Sequence, residues 1–343
     1  MNTYRQFKAA FILVIIVGLF ISTSFSTVHA ASSTLIEGAK KEGKVIWYTT
    51  MPVQDVDRLL KGFAAQYPYI KIEILRLSAV SLRNKVLAEA RMKKHSFDVV
   101  SIGIDAFYHL LKQGLIAKYN SPERKSYHDD LKDREGYWTG FYQNTHVIAY
   151  NTKLVSPSDV PHSYEDLLSP KWKNKKLALD NKDWNWFAAQ LEIMGREKGL
   201  EFGRRLANQN LYLRPGKSLL VELLIAQEFQ VAVNVYGSVV EVQKKKGAPV
   251  EWVPVEPVVR HVIGMMLASH AKNPNSAKLF IDYALSREAQ ILTAMSGRLP
   301  CRSDVPPDPP RLTEGLKFHM VPEKHISENN TQVAEDFVNI FRK

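Results

Sequence analysis

The chain is poor in cysteine. Cys301 is the only one in 343 residues, so no intrachain disulfide can form, and the fold must stand on burial even in an oxidising compartment. Acidic residues are also short. Lys and Arg number 46 against 35 Asp and Glu, a formal net charge of +11. An excess of this sign raises the local concentration of anions and favours anionic partners. The basic residues are nevertheless dispersed, in short runs such as Lys244-Lys245-Lys246, without the aromatic-interleaved stripe of a nucleic-acid footprint.

Catalytic signatures are missing too. There is no G-x-S-x-G, no H-E-x-x-H and no paired-cysteine metal spacing. Ten histidines are scattered, and Tyr127-His128-Asp129-Asp130 reads as a surface loop rather than a triad. The stretch RPGKSLL (214–220) suggests a phosphate-binding loop, but the position that needs its first glycine is Leu211. No repeat or low-complexity segment stands out. An enzyme is therefore not expected, nor is a cofactor.

The longest apolar run, residues 9–21, is shorter than the ~20 residues a membrane span needs. It follows Arg5 and Lys8 and precedes small side chains at Val28 and Ala30. That is the pattern of a secretory signal peptide over residues 1–30, cut near Ala30, and it predicts a periplasmic protein. Without Arg5 and Lys8 the net charge falls from +11 to +9.

What is present is an alternation of strands and helices. KVIWYTT (44–50) reads as a buried strand, followed by a helix through Val56, Leu59, Leu60, Phe63 and Tyr67 that Pro68 ends. Strand IKIEILRL (70–77), a helix from 81 to 94 capped by Ser81, strand 98–103 and a helix over 105–113 continue the pattern. It loosens over 115–141 and restarts with strand 146–152, strand 175–180, one helix from about 184 to 198, helix 218–227, strand 229–237 and helix 237–247. A long strand at 258–269 then returns the chain to the first half. This predicts an α/β protein of two lobes with a ligand cleft between them: lobe 1 from 31–145 plus 258–343, lobe 2 from 146–257. Bending is expected near Tyr150-Asn151 and Val253–Val258.

Ligands in open α/β sheets gather beyond the carboxyl ends of the strands. From the first lobe this picks out Tyr48, Thr49, Thr50, Ser101 and Asp105. From the second it picks out Asp180, Asn181, Trp184, Lys217, Ser218 and Tyr236. Two of these places open helices, where free N–H groups favour an anion.

The order of features, with FAAQYPYIKIEI (63–74), IAYNTKLV (148–155), VPHSYEDLLSPKWKNKKLALD (160–180) and NPNSAKLFIDYALSREAQ (273–290), resembles the bacterial extracellular solute-binding proteins that feed ABC importers. It is most similar to the branch containing ferric-iron, thiamine and phosphonate binders. The resemblance implies the two-lobed type II periplasmic fold, hinge closure on a small ligand, and delivery by a monomer to an inner-membrane ABC permease. Iron binders of this branch carry two adjacent tyrosines where this chain has Tyr236 and Gly237. An iron set would need Tyr48, Tyr150 and Tyr236, and no metal is favoured. The expected guest is a small organic anion such as a phosphonate, phosphate ester or carboxylate. Thr49, Thr50, Lys217 and Ser218 would donate to it, Trp184 and Tyr236 would stack on it, and Arg260 would reach it from the interlobe strand.

Overall fold

The computed structural model describes residues 33–320 and 323–342, so the expected signal peptide lies outside the described residues. Helix α1 (Ser33–Glu42) leads into three parallel strands, β1 (Lys44–Thr49), β2 (Lys71–Arg76) and β3 (Val99–Gly103), connected by α2 (Val53–Gln66) and α3 (Ala79–Arg91). Helix α2 stops one residue short of Tyr67, because the residue before Pro68 is pushed out of the helical region. Helix α3 begins two residues earlier than the expected 81. Its cap is Ser78, which accepts from the Ser81 N–H at 3.3 Å.

After α4 (Phe107–Lys112) and β4 (Ile116–Ala117) comes β5 (Thr139–Asn151), a strand twice the expected length. Its first half carries Gln143, Asn144 and Thr145, all buried, and this polar run hides the strand in the sequence. The second sheet follows: β6 (Leu177–Asp180), α5 (Trp184–Met194), α6 (Arg196–Ala207), β7 (Tyr212–Arg214), α7 (Lys217–Ile225), β8 (Val231–Tyr236), α8 (Gly237–Lys245) and β9 (Val250–Val253). The single helix expected at 184–198 is two helices. Gly195 between them sits at φ 79°, a conformation glycine adopts without cost and an L side chain does not.

β10 (Val258–Ala268) returns antiparallel between β3 and β5, and α9 (Pro274–Leu285), α10 (Arg287–Met295), β11 (Leu299–Pro300), β12 (Phe318–His319) and α11 (Glu323–Phe341) complete the chain. The sheet order is β2-β1-β3-β10-β5-β8-β6-β7. β5 pairs with β10 through Thr145 and with β8 from His146 onward, so it changes partners four residues before the expected Tyr150. The two sheet halves meet on β5 and β10.

Each half has its own core. In the first, Trp47 packs edge-on against Phe280 (ring centroids 5.0 Å apart) and Phe141 (6.1 Å). In the second, Phe187 meets Phe337 and Phe341 of α11 at 5.9 and 5.5 Å. The C-terminal helix thus buries its aromatic face on α5 and α6, although the sequence assigns all of 258–343 to the first lobe. Helix α11 also touches α4, so it spans the two halves. Truncating a buried Phe removes its transfer free energy and leaves a cavity. Phe337→Ala is expected to lower stability by about 3–5 kcal/mol, read as the urea midpoint at unchanged slope.

Candidate ligand-binding cleft

Two helix starts and two strands converge on one carboxylate. Asp183 caps α5, accepting from the Trp186 N–H at 3.3 Å through Oδ1. Its Oδ2 receives Lys217 Nζ from the start of α7, Asn234 Nδ2 from β8 at 2.9 Å, and faces His146 Nε2 from β5 at 3.1 Å. Lys217 also donates to Asp180 at 3.1 Å, and Asn234 Oδ1 accepts from the Asp180 N–H. Burial works against the Asp183 charge, but Lys217 and His146 outweigh it and hold the carboxyl well below its usual range. Burial keeps His146 below its ordinary value despite Asp183.

The first half contributes a second cluster. Asp105, just past β3, faces His261 Nε2 of β10 at 3.0 Å and accepts from Asn185 Nδ2 of α5 at 3.1 Å, a contact that joins the two halves. Burial opposes the charge on each partner, yet their hydrogen bond and mutual attraction prevail. Asp105 lies below its ordinary value and His261 above. Tyr236 lies between the clusters, its ring edge-on to His146 (5.0 Å) with Lys217 Nζ 5.4 Å from its centroid. Burial pushes its phenol well up, and the charges of Asp183 and Asp180 push the same way, so it is a neutral hydroxyl at physiological pH.

The residues expected from sequence divide accordingly. Asp105, Asp180, Lys217 and Tyr236 are brought together. Lys217 is engaged by two carboxylates and holds the site rather than a guest. Ser218 is exposed. Thr49 and Ser101 bond to each other at 2.7 Å, Thr49 also accepts from the Met51 N–H, and Ser101 accepts from Trp47 Nε1, so both serve the first core. Tyr48 stacks on Phe97 and donates to Glu89 of α3. Trp184 packs on the second core, and Asn181 offers its carbonyl to Arg342 at 2.8 Å. Arg260 pairs with Asp130 and lies over Phe318, one residue out of step with His261 and so on the opposite face of β10. Thr50 Oγ1 is buried and faces Tyr142, whose phenol is raised by burial while Arg298 and Thr50 act against that rise.

The iron set does not converge. Tyr150 is four residues from His146 along β5, about 13 Å, while Tyr236 is opposite His146 itself. A Cβ at Gly237 would lie 3.1 Å from Leu312 and 3.3 Å from Val147, so a side chain there would require those two neighbours to give by a few tenths of an ångström.

Sequence reasoning passed over His146, Asp183, Asn234, Asn185 and His261. A period-2 series of polar or aromatic residues, Tyr142-Asn144-His146, is the signal for β5. A histidine within the apolar run VVRHVIGMM is the signal for β10.

A profile of the family described as bacterial extracellular solute-binding protein matches residues 95–329, more than half the chain. The chain belongs to that family. Membership places this solute-binding protein outside the cytoplasm, as the component of an ABC importer that presents a small-molecule ligand to the permease. A Haemophilus influenzae protein of uncharacterised role is 26% identical over 297 residues, covering 81% of this chain and 83% of its own. Among solved structures, AfuA from Actinobacillus pleuropneumoniae, with fructose-6-phosphate bound, superposes with a TM-score of 0.76 at 20% identity, covering 88% of this chain and 99% of that one. Iron-bound HitA from Pseudomonas aeruginosa superposes with a TM-score of 0.76 at 19% identity, covering 86% and 99%. These neighbours share the two-lobed fold; their ligands differ.

Two consequences are measurable. Lys217→Met leaves Asp180 and Asp183 buried without their cation and is expected to cost about 3–5 kcal/mol at neutral pH. Because Asp183 is depressed in the native state, its contribution is complete above the unfolded value of about 3.9 and is lost as pH falls through the native value. The gap between variant and wild type should therefore narrow on acidification, as the variant's stranded carboxylates take up protons; urea titrations at stepped pH check this. His261 is raised, so its pairing contributes fully below the unfolded value of about 6.5 and fades as pH rises through the native one. His261→Asn should flatten the melting-temperature profile over that interval.

Proposed function

We propose that this solute-binding protein captures a small phosphoryl anion, a phosphate ester or a phosphonate, by closing its lobes on the ligand, and passes it on as a monomer without transforming it. One observation carries the reading. Ser238, in the first turn of α8, is 1% exposed and its Oγ has no hydrogen-bond partner. A buried hydroxyl left open costs about 1–3 kcal/mol. Here it stands beside the unpaired first-turn N–H groups of a helix whose cap, Tyr236, supplies no side-chain bond. Together they form a set of donors at the positive end of a helix dipole, suited to a tetrahedral oxyanion. Thr50, just past β1 in the other lobe, offers a second buried hydroxyl, which it shares with the phenol of Tyr142.

The charge near the cleft is divided. Lys217 serves both Asp180 and Asp183, and His261 serves Asp105. The exposed arginines Arg76 and Arg214 end β2 and β7, in register with Thr49 and Asp180, and add positive charge at the strand ends. A ferric ion, by contrast, would need several phenolates, and Tyr48 is bonded to Glu89 while Tyr150 stands four residues from His146 along β5.

Hinge closure follows if the anion meets α8 in one lobe and Thr50 in the other. Only the closed form makes both contacts, and that difference in affinity shifts the population. Calorimetric titration with fructose-6-phosphate, glycerol 3-phosphate and 2-aminoethylphosphonate tests the reading. At least one is expected to bind, and Ser238→Ala to weaken it about 10–100-fold, the value of a hydrogen bond to a charged group. A coloured, iron-loaded preparation that ignores all three would overturn it.

A further inference from the structure

Between Tyr142 and His146, on the same face of β5, stands Asn144. It is 3% exposed, yet its Oδ1 has no hydrogen-bond partner among the described residues. Strand register sets it opposite His261 of β10. His261 in turn faces Asp105, which accepts from Asn185, and the Oδ1 of Asn185 is also buried and open. Two amide oxygens without donors therefore flank one histidine–carboxylate pair, on the β5 face that carries His146 and, across β8, Tyr236. In a folded interior such groups are nearly always satisfied. No packing reason calls for an amide at position 144, where a residue of the same shape without polarity would avoid the desolvation cost.

We infer that Asn144 is a specificity-determining residue that reads a hydroxyl on the organic part of the ligand, next to the Asp105–His261 pair. This rests on the phosphoryl reading above and narrows it to phosphate esters or phosphonates carrying alcohol groups.

The choice of a hydroxyl follows from donor and acceptor counts. An alcohol both donates and accepts, and so satisfies the amide of Asn144 whichever way it is turned. A second anionic group would sit beside Asp105 and be repelled by it. An ammonium would satisfy the amide oxygens but leave the Asn144 NH₂ without an acceptor. A purely apolar body would leave both amide oxygens buried and open in the complex.

The test compares two phosphate esters of equal carbon count on the full mature protein, fructose-6-phosphate and hexyl phosphate, with Kd measured by calorimetry. Wild type is expected to prefer the hydroxylated ester at least tenfold. Asn144→Ala is expected to reduce that preference about 5–10-fold, the value of one neutral hydrogen bond, by weakening fructose-6-phosphate without weakening hexyl phosphate. A merely structural role would weaken both esters alike and leave their ratio intact, which overturns the inference. So does a wild type that binds the two equally, and that arm decides even if the variant does not fold. If wild type binds neither ester and no other phosphoryl compound, the phosphoryl reading itself fails and takes the inference with it.

Discussion

The cleft is organised by the charge on Asp183. One carboxylate caps a helix, holds the lysine that opens a second helix, and fixes an asparagine and a histidine on two strands. Removing any of these donors would leave a buried negative charge short of partners, which is why the ensemble behaves as a unit. Its effect on ligand choice is indirect. Because Lys217 and His146 are turned inward to Asp183, the groups left for a guest are neutral: Ser238, Thr50, Tyr236 and the amides of Asn144 and Asn185. On the proposed reading, such a cleft would grip an anion through oriented donors rather than through a bare cation.

On the proposed reading, the same arrangement of charge sets this site apart from an iron centre. Trivalent iron requires anionic oxygen ligands, and phenolates form only where a cation repays the cost of ionising a buried phenol. Tyr236 is surrounded by carboxylates, Tyr48 is committed to Glu89, and Tyr150 lies well along β5. Glycine at 237 leaves room for Leu312 to close the back of the strand, so that position is part of the packing.

Periodicity revealed most of the elements, because apolar spacing is dictated by burial and burial dominates the fold. It failed where polar residues are buried. Thr139–Thr145 looks like a loop, since Gln143, Asn144 and Thr145 interrupt the alternation, yet it forms half of the strand that joins the lobes. The site was partly legible for the same reason. Strand-end logic reached Asp105, Asp180, Lys217 and Tyr236, but it is blind to side chains in mid-strand, and His146, Asn144 and His261 are all mid-strand. It also cannot tell which residues face inward: Thr49 and Tyr48 at the end of β1 and Ser101 in the middle of β3 all bond within the first core. The attachment of α11 to the second core depends on contacts between Phe187, Phe337 and Phe341, separated by about 150 positions, which no local pattern encodes.

The most direct measurement is a crystal structure of the mature protein with fructose-6-phosphate. The account predicts closed lobes, with a phosphate oxygen at hydrogen-bonding distance from Ser238 Oγ and the first N–H groups of α8. A phosphate lying elsewhere, or a metal ion bound directly by Tyr236 with Ser238 still unengaged, would contradict it.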